Sequence, residues 1–205
     1  MIHPIALLAS VTLNFLTNGA FFTTETNQGT PLDPFVFVKE SRPAQNAKSE
    51  AGPLNIVHEA GLRPAMLSDD GAMPLYNADG TQLGVSLVQW LGAHGVAQVS
   101  PAGSDAETVT ATFYGLIPDA DYSLFESRIE HDRAIFTPLD GTGNTNSFRS
   151  GEDGRAAITV TVPHLLTHAD AIELVYHSDN QSHGTSPGNP GYTAHPQLVA
   201  RLPNP

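Results

Sequence analysis

The segment Gly115-Leu-Ile-Pro-Asp-Ala-Asp-Tyr122-Ser-Leu124 has the form Leu-x-Pro-x-x-x-Tyr-x-Leu. It predicts a tyrosine corner, in which a Tyr hydroxyl bonds back to backbone a few residues upstream in a β-sandwich. The sequence on either side agrees. Val96–Ser100, Thr108–Tyr114, Tyr122–Ile129, Ala156–Val162 and Ile172–His177 are rich in β-branched residues or alternate apolar with polar, as strands do. Between them stand Pro101-Ala-Gly, Asp140-Gly-Thr-Gly and Gly151-Glu-Asp-Gly, residue types that supply the backbone angles of tight turns. Phe35–Glu40 and Leu54–His58 read as further short strands, and Asn77-Ala-Asp-Gly80 as a turn. Helix is expected only at Val85–Leu91, ended by Gly92 and Gly95, and as a single turn at Pro163–His168.

These elements predict one all-β domain over residues 1–205, an antiparallel immunoglobulin-like sandwich with one or two short helices. At its start Val11, Leu13 and Phe15 alternate with Thr12 and Asn14. Asn18-Gly19 then supplies a type I′ turn and Ala20–Thr24 returns, which predicts an N-terminal hairpin extension. Its first strand, left exposed, is a candidate for self-association. Residues 41–53 are polar and are expected to form a long loop. The apolar run Ile5–Phe22 has no basic flank and is broken by Asn14 and Asn18, so it reads neither as a secretory signal nor as a membrane span. An exported chain whose signal has already been removed is the expectation.

Acidic residues number 21 and basic residues 9, for a formal charge of −12. Nucleic acids and anionic membranes are bound through clustered Lys and Arg, so neither is an expected partner, and no membrane insertion is expected. Cysteine is absent, which excludes disulfides, thiolate zinc sites, Fe–S clusters and blue-copper centres. Nine histidines stand against two lysines, Lys39 and Lys48. Imidazole and carboxylate are therefore the strong metal ligands this chain can offer.

The stretch Tyr176-His177-Ser-Asp179-Asn-Gln181-Ser-His183-Gly184 runs on through Pro187-Gly-Asn-Pro190-Gly to His195-Pro196. The apolar run Ile172–Val175 predicts a buried strand, with His177 at its end, where binding groups sit on loops held by a rigid scaffold. His183 and His195 lie on the Gly/Pro-rich loop that folds back. At least two of His177, His183 and His195 are expected to share one ion, with Asp179 or Gln181 accepting from a ring N–H. Imidazole suits copper, zinc, iron or nickel. Candidate completing ligands are His164 and His168, which share a face if helical, and His94, four residues beyond the single tryptophan, Trp90. Each of these histidines has an ordinary alternative role, bonding backbone and packing a loop. For Trp90 that alternative is the core. Met66 and Met73 are soft ligands or gap fillers.

Calcium is a second candidate ion. Asp140-Gly-Thr-Gly-Asn-Thr-Asn146 and Glu152-Asp-Gly154 offer oxygen ligands, without EF-hand spacing and with a composition hairpin turns share. Enzyme motifs are missing: there is no Gly-x-Ser-x-Gly, His-Glu-x-x-His or P-loop. Glu126 and Glu130 would serve glycoside hydrolysis only if they faced each other across a cleft. The chain is read as a non-enzyme.

The C-terminal half resembles a widespread group of secreted bacterial proteins. They carry Gly-Leu-x-Pro-x-x-x-Tyr, Asn-x-Phe, Gly-x-Ala and Tyr-His-x-Asp-x-Gln-x-His-Gly, here Gly115–Tyr122, Asn146–Phe148, Gly154–Ala156 and Tyr176–Gly184. The resemblance spans roughly residues 80–200 and implies an exported β-sandwich. Size, missing cysteines, many histidines and a single Trp are also similar to the cell-surface copper(I)-binding proteins of methane-oxidising bacteria, the CorA/MopE type. There two histidines and a tryptophan oxidised to kynurenine hold the metal. That family sets Trp and His two residues apart, whereas Trp90 and His94 are four apart. Taken together the sequence predicts a secreted or cell-surface protein holding copper by histidines for acquisition or storage. A structural or adhesive surface module is the alternative, and an extracellular hydrolase the third reading.

Overall fold

A computed structural model describes residues 10–26, 35–40, 50–51, 56–130 and 133–203. The fold is an all-β, antiparallel sandwich with two short helices. One layer is built from β1 (Val11–Thr17), β8 (His94–Pro101), β9 (Glu107–Tyr114) and β13 (Ala156–Val162). The other has β15 (Ala194–Arg201), β14 (Ala171–His177), β10 (Asp121–Glu130) and β11 (Arg133–Pro138) in that order, with β12 (Ser147–Arg149) also on β10. The layers are joined by β1, whose Val11–Phe15 pair with β8 and whose Leu16–Thr17 pair with β15.

Alternation fixes what lies between the layers. Leu13, Ala97, Val109 and Val160 face inward from the first sheet and meet Tyr122, Leu124, Leu174 and Leu198 from the second. Phe113 stacks on Phe148 across the gap at 5.7 Å. The tyrosine corner is present: the Ile117 N–H donates to the buried Tyr122 Oη at 2.9 Å. Pro118 and the left-handed Asp119 (φ 50°) make the bend.

Small sheets flank the sandwich. β2 (Phe37–Lys39) lies between β5 (Leu62–Pro64) and β6 (Pro74–Tyr76), which continues to β7 (Gln82–Ser86). β3 (Glu50–Ala51) pairs with β4 (Val57–His58). Most of the polar loop expected at 41–53, and residues 54–55 of the strand expected at 54–58, lie outside the described residues. Helix α2 covers Leu87–Leu91, the last five residues of the helix read at Val85–Leu91, while Val85 and Ser86 belong to β7.

Two expectations are corrected. Ala20–Thr24 do not return as a strand but belong to helix α1 (Asn18–Thr26). The Thr17 hydroxyl accepts from the Ala20 N–H at 3.3 Å and caps this helix, while Phe21 packs on Ala171 and Val199. Strand β1 pairs with β8 over Val11–Phe15 and with β15 at Leu16–Thr17. Pro163–His168 form no helical turn. Carboxylates take the amides a helix would use: Leu166 N–H donates to Glu107 at 2.8 Å and Thr167 N–H to Asp170 at 2.8 Å.

Candidate metal centre

Strand β14 is interior to its sheet and buried along its whole length, as the Ile172–Val175 run predicts. It ends at His177, which is fully buried. A bulge in β15 then decides which histidines meet. Leu174 pairs with Leu198, but Val175 pairs with Pro196, so Gln197 is the extra residue. Proline, which has no N–H for the ladder, is tolerated in an interior strand at such a bulge. The shift places His195 opposite Tyr176, on the core side, 5.7 Å from the Tyr176 ring and edge-on to Trp90 at 6.4 Å. His177, the next residue along β14, leaves the sheet on the other face.

The expected trio is therefore divided. His195 Nδ1–H donates to Phe35 O at 3.0 Å, and its Nε2 lies 3.0 Å from Ser178 Oγ, whose hydroxyl donates to Tyr192 O at 3.0 Å. Burial lowers its pKa to about 4, against the pull of the Phe35 and Tyr192 backbone, and the ring is a neutral structural group at pH 7. His177 and His183 are brought together, with ring centroids 5.3 Å apart and planes at 57°.

Hydrogen-bond direction gives the His177 tautomer. Buried Asn146 donates from Nδ2 to Leu124 O at 3.0 Å, which turns its Oδ1 toward Ser147. An amide oxygen only accepts, so the Ser147 hydroxyl donates to it at 3.4 Å. Ser147 Oγ also lies 2.9 Å from Ser123 Oγ and 2.9 Å from Ser182 Oγ. If Ser147 gives its proton to Asn146 and Ser123 gives its own to Ser147, Ser123 offers only a lone pair to His177 Nε2, 2.7 Å away, and that nitrogen carries the proton. Nδ1 keeps its lone pair, buried and without a hydrogen-bond partner. Leaving a buried polar atom unpaired costs roughly 1–3 kcal/mol, so this nitrogen calls for a reason. Burial, and next His183, lowers the His177 pKa to about 4 against the opposing pull of Asp179 and Asp121. The lone pair is free at pH 7.

His183 Nε2 is also buried and without a hydrogen bond. Asp179 Oδ2 lies 3.0 Å from it, close but outside hydrogen-bond alignment. The loop that carries His183 is held at several points. Asn189 O accepts from the Tyr192, Thr193 and Ala194 amides, and Ser178 N–H donates to Thr193 O at 3.0 Å. Gly143 lets the 140–146 loop lie against Gly184, since a Cβ there would strike the Gly184 carbonyl.

The remaining candidates stand elsewhere. His164 Nε2 pairs with Glu126 Oε2 at 2.7 Å. Glu126 is also 3.5 Å from Arg128, and the side chain of its suggested partner Glu130 lies outside the described residues. His168 lines a groove of about 330 Å³ with Phe21 and Arg201. His94 bonds Gly92 O through Nδ1 at 3.0 Å and stacks on Tyr114. Trp90 is fully buried in the core, edge-on to Tyr176 at 6.0 Å. Gln181 donates only a backbone N–H to Asp179, at 3.3 Å.

The calcium loop at Asp140 is a turn. Its carboxylate accepts the amides of Thr142, Gly143, Asn144 and Thr145 and two Thr hydroxyls. Burial opposes ionisation, yet these bonds outweigh it and hold the carboxyl well below the usual range. Asp153 likewise serves its own loop, accepting from Arg155 N at 3.1 Å.

Among the described residues no three His, Asp or Glu side chains converge as a metal site. What the fold assembles is a two-nitrogen pair with one carboxylate alongside. The Ser123–Ser147–Asn146 chain that orients His177 was not read from sequence. Its trace there is Ser123, a small hydroxyl between Tyr122 and Leu124 in an otherwise bulky strand. Comparison of the sequence with protein-family models and with curated proteins finds no match. The site is accordingly read from its own residues.

Proposed function

We propose that this protein binds one copper(I) ion between His177 Nδ1 and His183, as an exported or cell-surface protein for copper acquisition or storage. The observation that carries the reading is the pair of neighbouring imidazoles, centroids 5.3 Å apart, each with a buried nitrogen that has no hydrogen-bond partner. Copper(I), a d¹⁰ ion content with two donors in line, suits two neutral imidazoles. Asp179 adds negative charge beside the pair. The reading does not use Trp90, His195, His164, His168 or His94.

Equilibrium dialysis against copper(I), zinc and calcium, followed by metal analysis, tests the ion. One copper per chain with neither zinc nor calcium is the expected result, and retention of calcium or zinc in its place would overturn it. The place outside the cell rests on the resemblance of the Tyr176–Gly184 motif. Fractionation of source cells that left the protein in the cytoplasm would remove that part.

No helix among the described residues is long and apolar enough to cross a membrane.

A further inference from the structure

The outward face of the β1–β8–β9–β13 sheet has no charged side chain across its middle, in a chain whose net charge is −12. Strand register builds a row of Thr12, Gln98, Thr110 and Thr159, one from each strand and all exposed. On one side follow Asn14, Val96, Thr112 and Ala157. On the other, Ser100 pairs with Thr108, which pairs with Thr161. Adjacent residues of a row stand about 4.8 Å apart and successive rows about 6.8 Å, so hydroxyl and amide groups repeat at regular spacing across the sheet. Its border is Tyr114, stacked by His94 (5.4 Å, 19°) and with the Arg155 guanidinium 5.6 Å from its ring centre.

We infer that this face binds a neutral polyhydroxylated polymer, a polysaccharide surface lying flat on the sheet. Its donors and acceptors complement hydroxyl groups, and the missing charge complements an uncharged partner. The threonines are β-branched and stiff at χ1, so they lose little side-chain entropy on contact. A second copy of the chain fits less well. Two chains of −12 repel, and the exposed hydrophobes Val96, with Leu16 and Tyr114 at the border, are too few for an apolar interface core. The inference does not depend on the metal site.

The test is depletion of the purified protein by microcrystalline cellulose and by α-chitin, at low and at high salt. Binding to one of them, insensitive to salt, is expected, with at least about tenfold weakening in Thr110→Glu/Thr159→Glu. Gln98→Lys, placing the opposite charge at the same row, should weaken it similarly, and thermal melts establish that both variants fold. His177→Ala/His183→Ala should bind as the wild type does. Failure to bind either polymer, binding lost at high salt, or binding unchanged in both face variants would overturn the inference. Sedimentation showing self-association abolished by the same face variants would overturn it in favour of a second copy.

Discussion

His177 and Ser123 stand 2.7 Å apart, imidazole Nε2 to hydroxyl Oγ, at the buried end of strands β14 and β10. The serine hydroxyl is 2.9 Å from Ser147, whose hydroxyl is 3.4 Å from the Asn146 amide oxygen. Donation along this chain toward the terminal acceptor would place the His177 proton on Nε2, with the His183 ring 5.3 Å away.

The tautomer follows directly. In metal-free protein, long-range proton–nitrogen NMR should find His177 protonated at Nε2 and bare at Nδ1. Ser123→Ala removes the acceptor and should release a mixture of the two neutral forms while the fold persists. A wild-type ring protonated at Nδ1 would contradict the hydrogen-bond order.

Stability should fall on acidification. Unfolded imidazole titrates near 6.5, whereas buried His195 and His177 titrate at about 4. Between those values the unfolded chain binds more protons, so stability is full above pH ~6.5 and is lost as pH falls through about 4. For fully buried His195 the loss is on the order of 3 kcal/mol. Urea melts across this range check it, and a flat profile from pH 7 to 4 would contradict it.

Glu173 acts with the opposite sign. Burial raises its pKa to about 7, against the Ser127 hydrogen bond and the Arg201 charge. Its contribution is present below about 4.5 and lost as pH rises through about 7. Glu173→Gln keeps an acceptor for the Ser127 hydroxyl, 2.6 Å away in the wild type. The variant should match the wild type near pH 5 and exceed it at pH 8 by on the order of 2 kcal/mol. Equal stability at both pH values would show that Glu173 is not strained by ionisation.

At the corner, Tyr122→Phe leaves the Ile117 N–H without its 2.9 Å acceptor. A cost of roughly 1–3 kcal/mol is expected, read as a lower urea midpoint with an unchanged far-UV spectrum. No change in midpoint would remove the corner from the list of what holds the fold.

The sandwich was legible because alternation and turn residues are local. Val109, Ala111 and Phe113 alternate with Thr108, Thr110 and Thr112, and any partner strand must meet that pattern. What escaped depends on contacts distant in sequence. Strand β15 was missed because Pro196 and the buried Gln197 read as loop, and only pairing with β14 makes them a bulged strand. Helix α1 was mistaken for a returning strand because Asn18-Gly19 is a strong turn signal; the Thr17 cap and the burial of Phe21 prevail. At the site, His177 and His183 were both identifiable from their motif. That one bulged residue would turn His195 onto the opposite face was not, since side-chain parity is a property of the paired sheet.

Copper K-edge absorption on protein loaded with one equivalent of copper(I) tests the central claim most directly. The account predicts a two-coordinate near-edge feature with imidazole nitrogen scatterers only, absent from His177→Ala/His183→Ala, which stays folded and keeps no copper. A four-coordinate spectrum, or an unchanged one in the double variant, would contradict it.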